Sequence, residues 1–236
     1  MMLQKSPIIT ANESLYLKQD KFELFFGNKK DEGKEYLNEI ECYKINQVHE
    51  DQFVIWDFRF PFNEKQLARA DAHLTQQKNT ALRIRSADCL PIMVYDVNFE
   101  MIVAIHAGWR GIQNKITSKL VSKMFEMGSK AEGLQFFIGP HIQQKSFEIE
   151  TDLAMKIIGS SASKKIDQFQ RTLIDSNGPK CHLNLSKILK IDLSELGIED
   201  SQIWISEIDT FENQNFHSYR RDHIKGQNQS SWIFLK

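Results

Sequence analysis

Three residues of types that bind transition metals stand at the ends of apolar runs in this 236-residue chain. His49 ends the run KINQVH, Cys89 lies in SADCLP, and His106 lies in AIHAGWRG. One thiolate and two imidazoles are a typical ligand set for zinc, and they leave the fourth tetrahedral position free for water. Zinc lowers the pKa of such a water to about 7, so the residue types indicate a catalytic metal site.

Each of these residues also has a simpler interpretation. A lone buried cysteine is often a small core residue, and a histidine at a strand end is more often a hydrogen-bonded polar group than a ligand. The spacing between the three residues is long and matches no compact zinc motif such as CxxC. The residue types and spacing alone leave both interpretations open.

Other residues have types suited to binding an anion. The segment GWRG (108–111) joins a strand to a helix, and its glycines allow close backbone approach while Arg110 adds a fork of donors. Phosphate would suit this segment, although a tight turn with Trp109 as a packed plug is equally compatible. In FHSYRRD, Arg220 and Arg221 would bind an anion or pair with carboxylates, and Asp71 in RADAHLT would orient a ligand or cap a turn.

The elements that must position these residues are short strands. The runs 90–96 and 101–107 are apolar on both alternating faces, which predicts central strands buried on both sides, and 81–86 predicts a neighbouring strand. The connecting segment DVNFE (96–100) is short enough for a hairpin. An antiparallel pair would bring Cys89 and His106 to the same sheet edge.

After Gly111 the hydrophobic period becomes helical through to Gly128, and 183–197 predicts a second helix ended by Gly197. Further strands are predicted at 134–139, 202–208 and 230–236. The polar stretch 27–39 is predicted as a surface loop or an irregular helix, and 160–180 as a second exposed excursion. Strands outnumber helices, so we expect one α/β (α+β) domain of mixed sheets over residues 1–236.

Composition narrows the class of protein. Lys plus Arg number 30 against 31 for Asp plus Glu, which gives no reason to expect nucleic acid as the main partner. No apolar run approaches the roughly 20 residues of a membrane helix, and the start of the chain lacks a signal-peptide pattern. Three cysteines argue against a disulfide scaffold, so we expect a cytoplasmic protein without a membrane partner.

A set of motifs resembles one known family. NQVH (46–49), RADA (69–72), SADCLP (86–91), IHAGWRG (105–111) and SYRR (218–221) occur in the order of the YfiH-type proteins. These proteins are also labelled laccase-domain or polyphenol oxidase proteins, and are described as purine nucleoside phosphorylases. The resemblance covers residues 41–236.

The resemblance implies a fold, a site and an activity. The implied fold is a layered sandwich of mixed β-sheets flanked by helices, like that of cysteine-hydrolase-type toxin domains. The family's metal-binding and catalytic triad maps onto His49, Cys89 and His106, with zinc the usual metal and copper the alternative. The implied substrates are inorganic phosphate and the purine nucleosides adenosine, inosine, guanosine and methylthioadenosine, with adenosine deamination as a second reaction. Gln47 joins Asp71, Arg110 and the Arg220–Arg221 pair as candidate substrate contacts.

Three alternatives remain at this point. Cys89 activated by His106 would suit a hydrolase or a cell-wall precursor editing enzyme. A copper-dependent polyphenol oxidase would normally need several histidine clusters that this sequence lacks. A metal-stabilised binding module without enzymatic activity is the third.

Overall fold

The computed structural model describes residues 6–10, 13–37, 40–57, 63, 67–161, 174–176 and 178–236. Its strands are β1 (Ile8–Ile9), β2 (Leu15–Lys18), β3 (Phe22–Phe26), β4 (Glu41–Lys44), β5 (Phe53–Trp56), β6 (Ala72–Thr75), β7 (Thr80–Ser86), β8 (Leu90–Asp96), β9 (Met101–Ala107), β10 (Leu134–Ile138), β11 (Glu148–Glu150), β12 (Ile174–Ser176), β13 (Lys180–Leu183), β14 (Ile203–Ile205) and β15 (Gln229–Leu235). Its α-helices are α1 (Trp109–Gln113), α2 (Ile116–Glu126), α3 (Thr151–Gly159), α4 (Leu185–Glu195) and α5 (Tyr219–Asp222).

The central sheet contains the predicted hairpin. Its strand order is β14-β10-β8-β9-β6-β5, and every residue of β8 and β9 is buried. The two strands pair antiparallel, with Leu90 opposite Ala107 and Pro91 opposite His106. Strands buried on both faces are apolar throughout because both faces are covered by other layers. The sequence prediction of a central antiparallel hairpin is confirmed.

A second six-stranded sheet covers one face of the central sheet. Its order is β1-β2-β3-β15-β7-β4, antiparallel except for the parallel pair β4 and β7. The core between the two sheets includes Leu24 and Phe26 from the second sheet and Met93 and Ile102 from the central sheet. Because side chains alternate along a strand, His106 faces the same way as Ile102, towards the second sheet.

Helices cover the other face of the central sheet. Residues of α2 and α4, such as Leu120 and Ile188, share a core with Ile92 and Val103 on that face. A small sheet of order β11-β13-β12 adjoins this layer. The result is the expected layered arrangement of mixed sheets flanked by helices. Within the described ranges, none of the helices has both the length and the apolar character needed to cross a membrane.

Local details differ from the sequence predictions. The single helix predicted after Gly111 is two helices, α1 and α2, because Lys115 has a left-handed backbone with φ of +59°. The helix predicted at 183–197 spans Leu185–Glu195, and the strand predicted at 202–208 is shortened to Ile203–Ile205.

Of the two polar stretches, the first has a short helical turn, as one of its two predictions allowed, and the second contains a strand that was not expected. In the first, 27–39, a 3-10 turn spans Lys34–Leu37, Asn28 and Asp31 are buried, and residues 38–39 lie outside the described part. In the second, 160–180, residues 162–173 and 177 lie outside it, and the remainder includes β12. Apolar residues that alternate or recur at helical spacing do not mark such short, irregular segments, so the sequence pattern does not predict them.

Candidate metal centre and cleft

The β8–β9 hairpin and one loop bring His49, Cys89 and His106 together. Cys89 directly precedes β8, and His106 lies near the end of β9, so the hairpin register places them side by side. His49 arrives from the segment between β4 and β5, with a left-handed backbone at φ of +60°. Three segments distant in the sequence therefore converge at one corner of the central sheet.

The three side chains have the chemistry and spacing of a metal site. One sulfur and one nitrogen from each ring lie within 4.8 Å of one another, so one cation placed between them can reach all three. The imidazole rings of His49 and His106 are perpendicular, with centroids 4.8 Å apart. His106 is buried, Cys89 is partly buried and His49 is exposed, so the cluster opens to solvent on one side. A thiol and two imidazoles fit zinc, with one position left for a further ligand.

Asp71 organises two of the three residues. One carboxylate oxygen accepts a hydrogen bond from His106 Nδ1 at 2.8 Å, which leaves Nε2 of that ring for the cluster. The same carboxylate accepts the backbone N–H groups of Val48, His49 and Glu50 at 2.8–3.2 Å. Asp71 therefore fixes both the orientation of one ring and the left-handed turn that carries the other. A carboxylate behind a ligating histidine is typical of metal sites.

The electrostatics of the cluster favour a thiolate. Burial by itself would raise the pKa of the Cys89 thiol, but the adjacent His106 and His49 rings lower that pKa to about 6. Burial opposes charge on His106 as well, yet the Cys89 sulfur and the Asp71 carboxylate raise the pKa of His106 to about 9. Without a metal, Cys89 and His106 therefore form a thiolate–imidazolium pair at neutral pH, and the thiolate is the form of cysteine that binds metals.

Gly108 leaves the space that the Cys89 sulfur occupies. A Cβ at this position would lie 2.9 Å from Cys89 Sγ and 4.0 Å from His49 Cδ2. The backbone of Gly108 is extended, so the requirement for glycine here is steric and does not come from an unusual φ. The first glycine of the GWRG segment therefore leaves room for the Cys89 side chain in the His49–Cys89–His106 cluster.

The cluster lies in the wall of a cleft of about 640 Å³. Aromatic and aliphatic side chains line much of it: Leu67, Trp109, Ile142, Phe147, Tyr219 and Ile224. The lining also carries the basic residues Arg85, Arg110, Arg220 and Lys225, against one carboxylate, Asp88, among the described lining residues. A mostly apolar cleft with an excess of positive charge suits a flat organic ligand together with an anion.

Two of the basic residues have their guanidinium groups over aromatic rings. The Arg110 guanidinium carbon lies 4.3 Å from the centroid of the Trp109 ring. The Arg220 guanidinium carbon lies 5.2 Å from the Phe147 ring, and its Nη1 donates to the Glu148 carbonyl at 2.7 Å. Stacking of this kind restricts a long side chain while leaving several N–H groups free to bind an anion.

The remaining candidate residues, Arg221 and Gln47, form hydrogen bonds within the protein. Arg221 donates to the carbonyls of Thr210, Phe211 and Phe216 and to the Asp222 carboxylate, so its five N–H groups have partners, and it does not line the cleft. Gln47 does line the cleft, but its amide exchanges two hydrogen bonds with the backbone of Arg85. We therefore retain Arg110 and Arg220 as candidate anion-binding residues and assign positioning contacts to Gln47 and Asp71.

Sequence reasoning did not single out Asp88, Arg85 or Lys225. Asp88 belongs to the SADCLP motif, but its neighbours in the sequence do not indicate that its carboxylate contacts a segment more than 120 residues further along the chain. Arg85 and Lys225 are exposed charged residues, and such residues usually face solvent. Only the assembled cleft brings them near the metal cluster.

The fold and the geometry define a class: an α+β protein whose three-residue metal-type cluster stands at the end of a central hairpin, inside a cationic cleft. The family model described as multi-copper polyphenol oxidoreductase laccase matches residues 28–236. The chain belongs to this family, and its resemblance to the YfiH-type proteins is confirmed.

Relatives with assigned names agree with this membership. The chain is 34% identical over 208 residues to the protein named purine nucleoside phosphorylase RC0672 from Rickettsia conorii, an alignment covering 85% of this chain and 81% of that protein. It is 29% identical over 170 residues to purine nucleoside phosphorylase slr1573 from Synechocystis, where 66% of this chain spans 64% of the relative's length.

Solved structures confirm the fold. The crystal structure of the Bacillus licheniformis hypothetical protein YfiH superposes with a TM-score of 0.84 at 21% identity, over 98% of this chain and 99% of that chain. The layered mixed-sheet architecture predicted from the motifs is therefore the one observed.

Proposed function

We propose that this protein is a zinc-dependent purine nucleoside phosphorylase that also deaminates adenosine. Its substrates would be inorganic phosphate and adenosine, inosine, guanosine or methylthioadenosine. The observation that carries the proposal is the His49–Cys89–His106 cluster in the wall of a cleft that also presents Arg110 and Arg220. The names of the relatives support this assignment over other metal-dependent reactions.

Phosphate would bind at the cationic side of the cleft. In phosphorolysis a phosphate oxygen bonds to C1′ of the ribose as the bond from C1′ to the purine nitrogen breaks, and the departing purine takes up a proton. The reaction depends on holding two reactants in line and on stabilising negative charge. Arg110 and Arg220, each held against an aromatic ring, provide forked donors for this purpose.

The purine nucleoside would occupy the apolar side. The volume of about 640 Å³ lies within the usual range for small-molecule sites. Tyr219, Phe147 and Ile224 offer apolar surface for a planar base and would exclude water from it once the ligand is in place. The partial exposure of Tyr219 and Ile224, at 48% and 49%, is consistent with a surface that a ligand covers.

The cluster would hold zinc through Cys89 Sγ and one nitrogen each of His49 and His106. When bound, zinc supplies Lewis-acid polarisation and lowers the pKa of a water molecule to about 7, which deamination requires. The chain's own contribution is to keep the ligands oriented, and Asp71 does so by holding the His106 ring and the His49 turn. The cytidine-deaminase pattern H-x-E with P-C-x-x-C is absent from the sequence, so deamination would use a different arrangement.

The direct test is a product assay. Zinc-loaded protein is incubated with adenosine and phosphate, and adenine, hypoxanthine, inosine and ribose 1-phosphate are measured. We expect phosphate-dependent release of adenine that disappears in a Cys89→Ala variant of unchanged fold. Product formation equal to that of Cys89→Ala for all four nucleosides would reject the proposal.

One observation favours a second candidate, a cysteine-dependent hydrolase. Without metal, the Cys89 thiol, the His106 ring and the Asp71 carboxylate form a hydrogen-bonded row of the kind that activates nucleophiles. Metal analysis separates the two candidates. An active metal-free protein that iodoacetamide inactivates by labelling Cys89 would support the hydrolase, whereas activity that requires one zinc per chain would exclude it.

A further inference from the structure

Asp88 connects the metal cluster to the opposite wall of the cleft. Its side chain is buried, and its two carboxylate oxygens have different partners. Oδ1 accepts from the Thr210 hydroxyl at 2.7 Å, and Oδ2 accepts from the backbone N–H of Arg220 at 2.7 Å. The Asp88 carbonyl accepts the backbone N–H of Ile142 at 3.0 Å. One residue therefore links the turn before β8 to two other segments of the cleft.

The backbone of Asp88 is held in an unusual conformation. Its φ is +81°, in the left-handed region that non-glycine residues other than Asn and Asp rarely adopt. The next residue in the chain is Cys89. The same turn thus directs the cysteine into the metal cluster and the Asp88 carboxylate towards α5.

Arg220 depends on this contact for its position. Its backbone N–H is one of the unsatisfied groups at the start of the four-residue helix α5, and Asp88 supplies the acceptor. Its guanidinium is then fixed by the Phe147 ring and by the Glu148 carbonyl. Anchoring at both ends gives the side chain a defined orientation in the cleft.

We infer that Asp88 is a positioning residue that sets Arg220 for phosphate binding, in register with the metal cluster. The inference rests on the proposed phosphorolysis, because it assigns a role in that reaction's phosphate site. Asp88 acts through Arg220 and does not itself contact phosphate, since a carboxylate would repel the anion. Its loss should therefore raise the KM for phosphate more than it lowers kcat.

Two substitutions separate the hydrogen bonds from the backbone strain. Asp88→Asn keeps a residue that tolerates positive φ, and its amide oxygen can accept from Arg220 N–H while its NH₂ group donates to Thr210. Asp88→Gly also accepts the positive φ but removes both hydrogen bonds. Asp96→Ala is a matched control, because Asp96 likewise holds backbone amides, those of Asn98 and Phe99, at the far end of β8.

The experiment measures KM for phosphate, kcat and zinc content in these three variants and in the unmodified protein. We expect Asp88→Gly to raise the KM for phosphate by about tenfold, the effect of losing hydrogen bonds to a charged acceptor. We expect kcat to change less and zinc to stay at one per chain. For Asp88→Asn and Asp96→Ala, KM should stay within about threefold of the value for the unmodified protein. That change corresponds to less free energy than one hydrogen bond to a charged group contributes.

The possible outcomes distinguish this inference from the proposed function. An inactive unmodified protein would reject the phosphorylase, whatever the variants do. An active protein whose Asp88→Gly variant keeps its KM for phosphate would overturn the role of Asp88. Zinc loss in Asp88→Gly would also overturn it, because Asp88 would then act on Cys89. An equal rise in KM for Asp88→Gly and Asp96→Ala would also overturn it, because the effect would then come from general destabilisation of the protein.

Discussion

At the scale of single residues, Asp71 holds more of the site in position than any one of His49, Cys89 and His106 does. The Asp71 carboxylate is fully buried and accepts four hydrogen bonds, three from consecutive backbone amides and one from His106. Burial alone would raise the pKa of Asp71, but its hydrogen bonds with His106 and with the Glu50 and His49 amides lower it. The carboxylate is therefore ionised at neutral pH, and its hydrogen bond keeps Nδ1 of the His106 ring protonated, so that Nε2 is the ring atom left to bind a metal.

The substitution Asp71→Asn should weaken metal binding. The asparagine NH₂ group would face N–H donors, so the His49 turn and the His106 ring lose their common acceptor. Groups behind metal ligands typically change metal affinity by about 10- to 100-fold, and we expect a loss in that range. Competition with a zinc chelator measures it.

Asp51→Asn is the control for this substitution, because partly buried Asp51 lies near the same turn, where its carboxylate pairs with Lys119 and accepts a hydrogen bond from the Gln52 side chain. Its zinc affinity should match that of the unmodified protein. Equal affinities for Asp71→Asn and Asp51→Asn would show that Asp71 does not organise the cluster.

Gly108 gives a steric prediction at the same scale. Gly108→Ala places a methyl group where Cys89 Sγ would lie only 2.9 Å away, so the sulfur must move out of the cluster. We expect the zinc content of the purified protein to fall well below one per chain. Gly159→Ala, with nothing within 4 Å of the added Cβ, should leave zinc content unchanged. Full zinc occupancy in Gly108→Ala, measured by elemental analysis, would argue against the cluster as described.

At the scale of elements, the sequence predicts the hairpin well and the helical layer less well. β8 and β9 are apolar on both faces and separated by a short turn, so local pattern determines both their identity and their pairing. The break between α1 and α2 depends on the left-handed Lys115, a residue with no local signature of a helix end. The strands β2 and β3 were not predicted, although they pair with each other as a local hairpin; β3 also pairs with β15, which lies at the other end of the chain.

A histidine between the two sheets predicts how stability depends on pH. His73 is fully buried and accepts a hydrogen bond from Trp56 Nε1 at 3.1 Å, and burial lowers the pKa of His73 to about 3. In the unfolded chain that pKa is about 6.5. Between these values the unfolded state takes up a proton that the native state does not. The free energy of unfolding should therefore fall as pH drops below 6.5, by up to about 1.4 kcal/mol per pH unit from this group.

Urea unfolding at pH 7, 6 and 5 measures this dependence. His73→Asn keeps an acceptor for the Trp56 indole but removes the titrating group, so its stability should decline less steeply over the same range. Identical slopes for the two proteins would mean that His73 is already protonated in the native state.

At the scale of the whole molecule, the His49–Cys89–His106 cluster brings together three segments that are distant in the sequence. His49, Cys89 and His106 come from the loop after β4, the start of β8 and the end of β9. Residue types and spacing alone left two interpretations, a metal site or a core cysteine with two hydrogen-bonded histidines, and only the family resemblance implied the triad. The cleft was beyond prediction, since Arg85 and the segment that carries Tyr219 and Lys225 are distant in the sequence and meet only in the folded protein.

Zinc should therefore stabilise the folded protein as a whole. A ligand that binds only the native state at about 100 times its Kd adds about 2.7 kcal/mol, which in a chain of this size raises Tm by about 5–10 °C. Thermal unfolding with and without a chelator measures the shift. Cys89→Ser should lose most of it, and a Tm that chelation leaves unchanged would contradict a shared metal site.

The most direct measurement of the central claim is X-ray absorption at the zinc edge of the stoichiometrically loaded protein. We predict one zinc per chain with one sulfur at about 2.3 Å and two imidazole nitrogens at about 2.0–2.1 Å, and we expect the sulfur contribution to be lost in Cys89→Ser. A spectrum with only oxygen and nitrogen neighbours, or one unchanged by Cys89→Ser, would contradict it.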